Sequence, residues 1–188
     1  MKQDLEDIYW INEILEGKTE IYRSLVDKHK NSVFSLVLGM LKNREEAEET
    51  AQDIFLKVYK ALSQFKKESK FSTWLYRIAY NECLSLLRKR KKVSVSLDSM
   101  HELQADINDD DERWQNHELR SVALHEAIGK LQDNERGLIH FYYFENMSVN
   151  EISGITGLSV SNVKIRLFRI RKQLYEELFP FFNNLAEE

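Results

Sequence analysis

From Ser72 onward apolar residues return at helical spacing. Leu75, Ile78, Ala79, Cys83 and Leu86 form one stripe of a helix predicted over about residues 72–90. At 3.6 residues per turn, Trp74, Arg77, Asn81, Ser85 and Arg88 fall on a second stripe, roughly opposite. The same period predicts helices near 19–29, 31–42 and 44–64. Asn43 and Glu46 open the third in capping-box spacing, and Ala47, Ala51, Ile54, Phe55, Val58 and Leu62 form its core stripe. Residues 119–145 read as two helices broken near Leu131–Asn134, with Asp133 placed to cap the second. Ser148 and Glu151 open a short helix carrying Ile152 and Ile155, Gly157 supplies a tight turn, and Ser159 caps a final helix. That last helix buries Val163, Leu167, Ile170 and Leu174. Six glycines, one proline and no alternating apolar run make the chain all-α. Two small helical domains are expected, over 1–92 and 119–188, joined by a flexible acidic linker at 93–118.

Charge is segregated along these elements. Residues 93–118 hold eight acids (Asp98, Glu102, Asp106, Asp109, Asp110, Asp111, Glu112, Glu118) against Arg113 alone, so that segment is −7 in a chain of −4 and leaves +3 elsewhere. Its few large apolar residues cannot build a core, and fully extended it reaches roughly 85 Å. Basic density gathers at Arg88–Lys92 and again at Lys164–Lys172, an arrangement suited to a modular nucleic-acid binder. With 43% hydrophobic and 31% charged residues the chain can bury a core and stay soluble. No apolar run approaches the roughly 20 residues of a membrane span, and MKQDLEDIYW lacks the layout of a secretory signal. The lone Cys83 excludes an intramolecular disulfide and suits the cytoplasm, where it is expected to be a small buried hydrophobe.

Three faces carry candidate chemistry. On the helix at 72–90, an aromatic, an amide and cations lie on one stripe that runs into Arg88, Lys89, Arg90, Lys91 and Lys92. Cations neutralise phosphates and aromatics stack on unpaired bases. On the helix at 44–64 the outward face reads Glu45, Glu49, Gln52, Asp53, Leu56 and Lys60. Leu56 stands in it as an apolar anchor inside a polar rim, the composition of a partner interface. The final helix leaves Ser161, Asn162, Lys164, Ile165, Arg166, Phe168, Arg169 and Lys172 outside. Five cations and no acid between Ser159 and Lys172 suit a helix lying in the major groove.

Phe71, Thr73, Trp74, Leu75, Arg77, Ile78, Ala79 and Asn81 resemble the F-x-T-W-L-x-R-I-A-x-N run in region 2 of extracytoplasmic-function sigma factors. The run LQDNERGLIHFYYFENMSVNEISGITGLSVSNVKIRLFRIRKQL is similar to their region 4. The resemblance covers roughly 19–92 and 119–178. It implies a group IV sigma factor that binds core RNA polymerase through its clamp helices and flap, and promoter DNA both duplex and single-stranded. It implies polymerase contact by Glu49, Gln52, Asp53 and Leu56. It assigns −10 capture to the loop Phe65–Phe71, with Lys67 and Ser69, and to Trp74, Arg77, Asn81, Arg88, Lys89 and Arg90. The outward arc of the final helix would read the −35 element, and the linker would thread a basic channel of the polymerase. An anti-sigma factor stays an open question at this point. The chain departs from the family in having no glycine in the loop, Ile165 in place of a small polar residue, and Gln132-Asp133 where a proline is usual.

Two other classes compete. An autonomous dimeric helix-turn-helix regulator would need a dimerisation surface or ligand pocket within 1–92, and the sequence offers neither. An enzyme would need a site, yet His29, His101, His117, His125 and His140 are scattered without metal spacing and there is no phosphate loop. No metal or cofactor is expected.

Overall fold

The computed structural model describes residues 2–94 and 122–184, and among them regular structure is entirely helical. Eight α-helices follow in order: α1 (Lys2–Leu15), α2 (Tyr22–Leu41), α3 (Arg44–Ala61), α4 (Phe71–Ser94), α5 (122–130), α6 (Asp133–Ile139), α7 (Val149–Thr156) and α8 (Val160–Asn184). Single 3-10 turns at Thr19–Ile21 and Leu62–Gln64 lead into α2 and out of α3, and a π-turn at His140–Phe144 ends α6. The linker at 93–118, apart from the last turn of α4, lies outside the described residues.

Helices α2, α3 and α4 pack on one another as a bundle. Lys42 takes the left-handed conformation at φ 57° and closes α2, and Asn43 immediately caps α3 by accepting the Glu46 amide at 2.9 Å. A two-residue connection of this kind returns the chain antiparallel. The expected stripe of α3 is buried throughout: Ala47, Ala51, Ile54, Phe55, Val58 and Leu62 all face the bundle. Cys83 is fully buried on α4, and burial pushes its thiol up to about 12.

Three expectations need correction. The two helices anticipated at 19–29 and 31–42 are one, since Lys30 and Asn31 are polar residues on the outer side of a continuous α2. Residues 2–15, for which no element was anticipated, form α1, whose Ile11 and Ile14 enter the core. The cap of α6 is Gln132 rather than Asp133: the Glu135 carboxylate accepts the Gln132 amide at 3.1 Å, while Asp133 turns to the Arg136 guanidinium at 2.7 Å.

The two halves share a core. Of its expected stripe α4 buries Leu75, Ala79 and Cys83 and half-buries Ile78 and Leu86, and it also buries Tyr76, Tyr80 and Leu87. Both tyrosine rings meet Phe141 edge-on at 5.7 Å. Gly137 lets α6 approach this surface, because a Cβ there would sit 2.6 Å from the Tyr80 ring. Buried Arg136 joins α6 to the end of α2, donating to the Met40 carbonyl at 2.8 Å and the Leu131 carbonyl at 2.7 Å. The helix end leaves that Met40 carbonyl in need of a donor, and a cation suits the negative pole of α2. Tyr76 donates to Glu145 at 2.5 Å, Lys42 to the Gly129 carbonyl, and Lys70–Glu151 and Lys91–Asp133 pair at 2.9 and 3.1 Å.

Two outcomes follow from this seam. Gly137→Ala should overpack the Tyr80 ring and cost about 1–3 kcal/mol, lowering the urea midpoint or raising the radius of gyration by X-ray scattering. Unchanged values of both would contradict the close approach. The second outcome concerns pH. Burial raises the carboxyls of Glu145, Glu151 and Asp133, but hydrogen bonds from His140 and Tyr76, from Lys70 and Ser148, and from Lys91 and Arg136 outweigh it and hold each below its ordinary value. Groups depressed in this way stabilise the closed seam above their unfolded values of 3.8 and 4.5, and that contribution fades as pH falls through the lower folded values. The radius of gyration should therefore be constant from pH 7 to 5 and rise only below about pH 4.

Candidate nucleic-acid interface

The loop between the Leu62–Gln64 turn and α4 starts from two phenylalanines that point inward. Phe65 and Phe71 are 6% and 1% exposed. Their rings and that of half-buried Trp74 form a cluster with centroids 5.3–5.8 Å apart. The aromatics expected to stack on bases are thus the floor and wall of the loop, and Lys66–Lys70 rise from them exposed. Lys67 stands in the left-handed region at φ 60°, and Ser69 Oγ donates to the Lys70 carbonyl at 3.3 Å. The Lys70 carbonyl also accepts the Trp74 amide at 3.2 Å, which ties the loop to the first turn of α4.

Arg77, Asn81, Arg88 and Lys89 are exposed along α4. Asn81 lies one turn beyond Arg77, so an amide and a guanidinium follow the loop on one continuous face. Arg90 is less free than the sequence implies, because its guanidinium pairs with Glu46 and donates to the Leu41 carbonyl at 3.2 Å.

On α3 the face opposite the core presents Glu49, Gln52, Asp53 and Leu56, all exposed, with Leu56 at 59%. The sequence reading missed Tyr59, which is 41% exposed three positions on, so that it forms an apolar pair with Leu56. The T-shaped contact of its ring with Tyr22 at 4.8 Å holds it in place. Tyr22 in turn donates to the Phe55 carbonyl at 2.6 Å. A second apolar residue at i+3 on an otherwise acidic face is the signal that could have found it.

The helix-turn-helix forms as its caps require. Ser148 and Glu151 exchange hydrogen bonds at the start of α7, Gly157 closes it at φ 73°, and Ser159 accepts the Asn162 amide at 3.2 Å. On α8 Ser161, Lys164, Ile165, Phe168, Arg169 and Lys172 are exposed, with Ile165 and Phe168 at 50% and 66%. Asn162 and Arg166 are half-buried and bonded to each other at 3.1 Å. Arg171 leans back on the Leu167 carbonyl at 3.3 Å and over the Tyr142 ring. The exposed arc therefore alternates cations with apolar side chains, able to meet phosphates, guanine edges and thymine methyls.

Both halves of the chain match known families. The family Sigma-70 region 2 matches residues 25–93, and Sigma-70, region 4 matches residues 121–174. The ECF RNA polymerase sigma factor SigW of Bacillus subtilis is 32% identical over 177 residues, covering 89% of this chain and 94% of that protein. The chain belongs to the ECF RNA polymerase sigma factors. The ECF RNA polymerase sigma-E factor of Escherichia coli K12 is 26% identical, with 96% of this chain and 98% of that protein aligned. Among solved structures, that of CnrH in complex with the cytosolic domain of CnrY has the same fold, with a TM-score of 0.68 at 24% identity over 93% of this chain and 97% of that one. This sigma factor binds core RNA polymerase and directs promoter-specific initiation. Nothing in these likenesses favours the dimeric regulator.

Leu56→Asp would place a carboxylate at the exposed apolar residue of the candidate polymerase-binding face, and a partner closing over that face would bury an unpaired charge, which is strongly unfavourable. Co-purification with core polymerase should fall by at least tenfold, about 1.4 kcal/mol, while the helical circular dichroism is unchanged. Full recovery of polymerase by the folded variant would refute the α3 interface.

Proposed function

We propose that this sigma factor divides its work among the three exposed faces. Glu49, Gln52, Asp53 and Leu56 on α3, now with Tyr59, hold core polymerase. The loop Phe65–Phe71 with Asn81 captures a base of the opened −10 strand, while Arg77, Arg88 and Lys89 hold phosphates. The arc of α8 reads the −35 element. The observation that carries this reading is the contrast between Leu56 and Phe168, large apolar residues left exposed in polar surroundings, and the buried aromatic floor beneath an exposed loop that carries Lys66, Lys67 and Lys70. The cytoplasm is where such a protein acts, and an anti-sigma factor belongs among the partners this reading allows.

The closed arrangement is the free form rather than the promoter-bound one. Helix α7 packs on both α4 and α8, so the two reading surfaces stand about two helix packings, or roughly 20 Å, apart. The −35 and −10 elements lie about 25 base pairs apart by their numbering, roughly 85 Å along a duplex. The domains must therefore part on the promoter, and the residues between them are long enough in extension to allow it.

Within α8 the labour divides by position. Arg169 is on the exposed arc, able to fork onto a guanine edge, whereas Lys172 sits at its border beside Glu176 at 3.7 Å. With reconstituted holoenzyme and a randomised −35 library, Arg169→Ala should relax preference at one base, by about 1–3 kcal/mol. Lys172→Ala should weaken all sequences alike and reduce the salt slope by about one. Identical sequence profiles for Arg169→Ala and the parent would sink the assignment.

A further inference from the structure

The loop Phe65–Phe71 has no glycine, yet it makes a turn that glycine makes freely. Lys67 sits at φ 60°, a region that a residue with a Cβ occupies only when its surroundings impose it. Its surroundings do. The Lys67 ammonium donates to Asn12 Oδ1 at 2.5 Å, and Asn12 lies on α1, 55 positions upstream. The far end of the loop is held from the same helix. Asp7 of α1, 3% exposed, faces His29 Nε2 at 3.2 Å and Lys28 Nζ at 2.7 Å. The His29 ring meets Phe71 edge-on at 5.4 Å. Helix α1 is itself fixed, with Ile11 fully buried and Lys28 lying over the Trp10 ring. All of α1 precedes the residues that match region 2.

We propose that α1 is a brace for the base-capturing loop and that Asn12 is a positioning residue for base capture. The brace stands in for the conformational freedom of a glycine: the left-handed turn is occupied by a lysine, and α1 ties down that lysine's ammonium. Asp7 and His29 fix the loop's other end by packing against Phe71. The inference rests on the loop's assignment to −10 capture. A single exposed hydrogen bond contributes little to global stability. A left-handed turn needs only a small bias, however, so losing the bond shows up as a change in the loop's population rather than as unfolding.

Two measurements separate the brace from the loop's assignment. In the free protein, trypsin cleavage after Lys66 reads how often the loop opens, because proteolysis follows the population of the open form. Asn12→Ala should accelerate that cleavage roughly fivefold without lowering Tm, and unchanged cleavage would overturn the brace. In holoenzyme on a promoter selected by the parent from a randomised library, permanganate reactivity of thymines in the melted region reads base capture. Asn12→Ala should reduce it roughly fivefold at unchanged polymerase affinity. Lys67→Gly removes the tethered ammonium and gives the turn to glycine, so in that background, whatever its own level, adding Asn12→Ala should reduce reactivity no further. Equal losses from Asn12→Ala in both backgrounds would show that Asn12 acts elsewhere and overturn the proposal. Faster cleavage with undiminished permanganate reactivity would keep the brace and instead refute the assignment of −10 capture to this loop.

Discussion

Helix α4 closes two cores at once, and most of the architecture follows from that demand. One side, through Leu75, Ala79 and Cys83, completes the bundle with α2 and α3. Another, through Tyr76 and Tyr80, receives Phe141 and the face of α6 that Gly137 keeps bare. Only one strip of such a helix is left for solvent, and the strip begins at the loop and runs through Arg77 and Asn81 to Arg88 and Lys89. The candidate strand-capturing surface is therefore the residue of double burial. Its side chains project from a rigid support, which keeps recognition groups in place without spending order at the moment of binding.

Helices with one buried stripe were legible in the sequence, because a single period of 3.6 shows plainly when one face is apolar. The stripes of α3 and α8 lie where that period puts them, and the caps at Asn43, Ser148 and Ser159 form because they need only residues three positions apart. What escaped depends on distance along the chain. Tyr76 and Tyr80 are amphipathic residues that suit either surface or core, and only Phe141 decides between them. Arg136 reads as an ordinary exposed cation until Met40, 96 positions away, supplies the carbonyl that buries it. Helix α1 was missed because Asp7 and Asn12 interrupt its apolar pattern on the inner side, and both are polar there for a reason that lies in other elements.

The candidate site divides in the same way. Leu56 and Phe168 were identifiable because exposure of the wrong residue type is visible in a periodic pattern, and Asn81 and Arg169 because the same period puts them on the outward faces. Phe65 and Phe71 belong to the loop in sequence but support it from beneath in space. Arg90 and Arg166 are turned toward Glu46 and Asn162. Composition identifies the groups that could bind nucleic acid; packing decides which of them face it.

The seam between the halves combines two kinds of interaction with different consequences for opening. Tyr76, Tyr80, Leu138 and Phe141 hold it through apolar burial, which water opposes losing. Lys70–Glu151 and Lys91–Asp133 hold it through ion pairs whose cations sit 52% and 76% exposed, where such pairs contribute little and yield readily to other partners. Both lysines extend the basic strip of α4, so phosphates can replace those carboxylates as the domains part. These two exposed ion pairs therefore offer little resistance to opening, and the apolar contact together with the part-buried Tyr76–Glu145 hydrogen bond sets the balance. In the proposed opening on the promoter, binding must then supply the free energy of exposing that surface, and the apparent affinity is reduced by the fraction of molecules that are closed. Gly137 bears directly on that fraction, since the absence of one Cβ is what lets the Tyr80 ring and α6 close to contact.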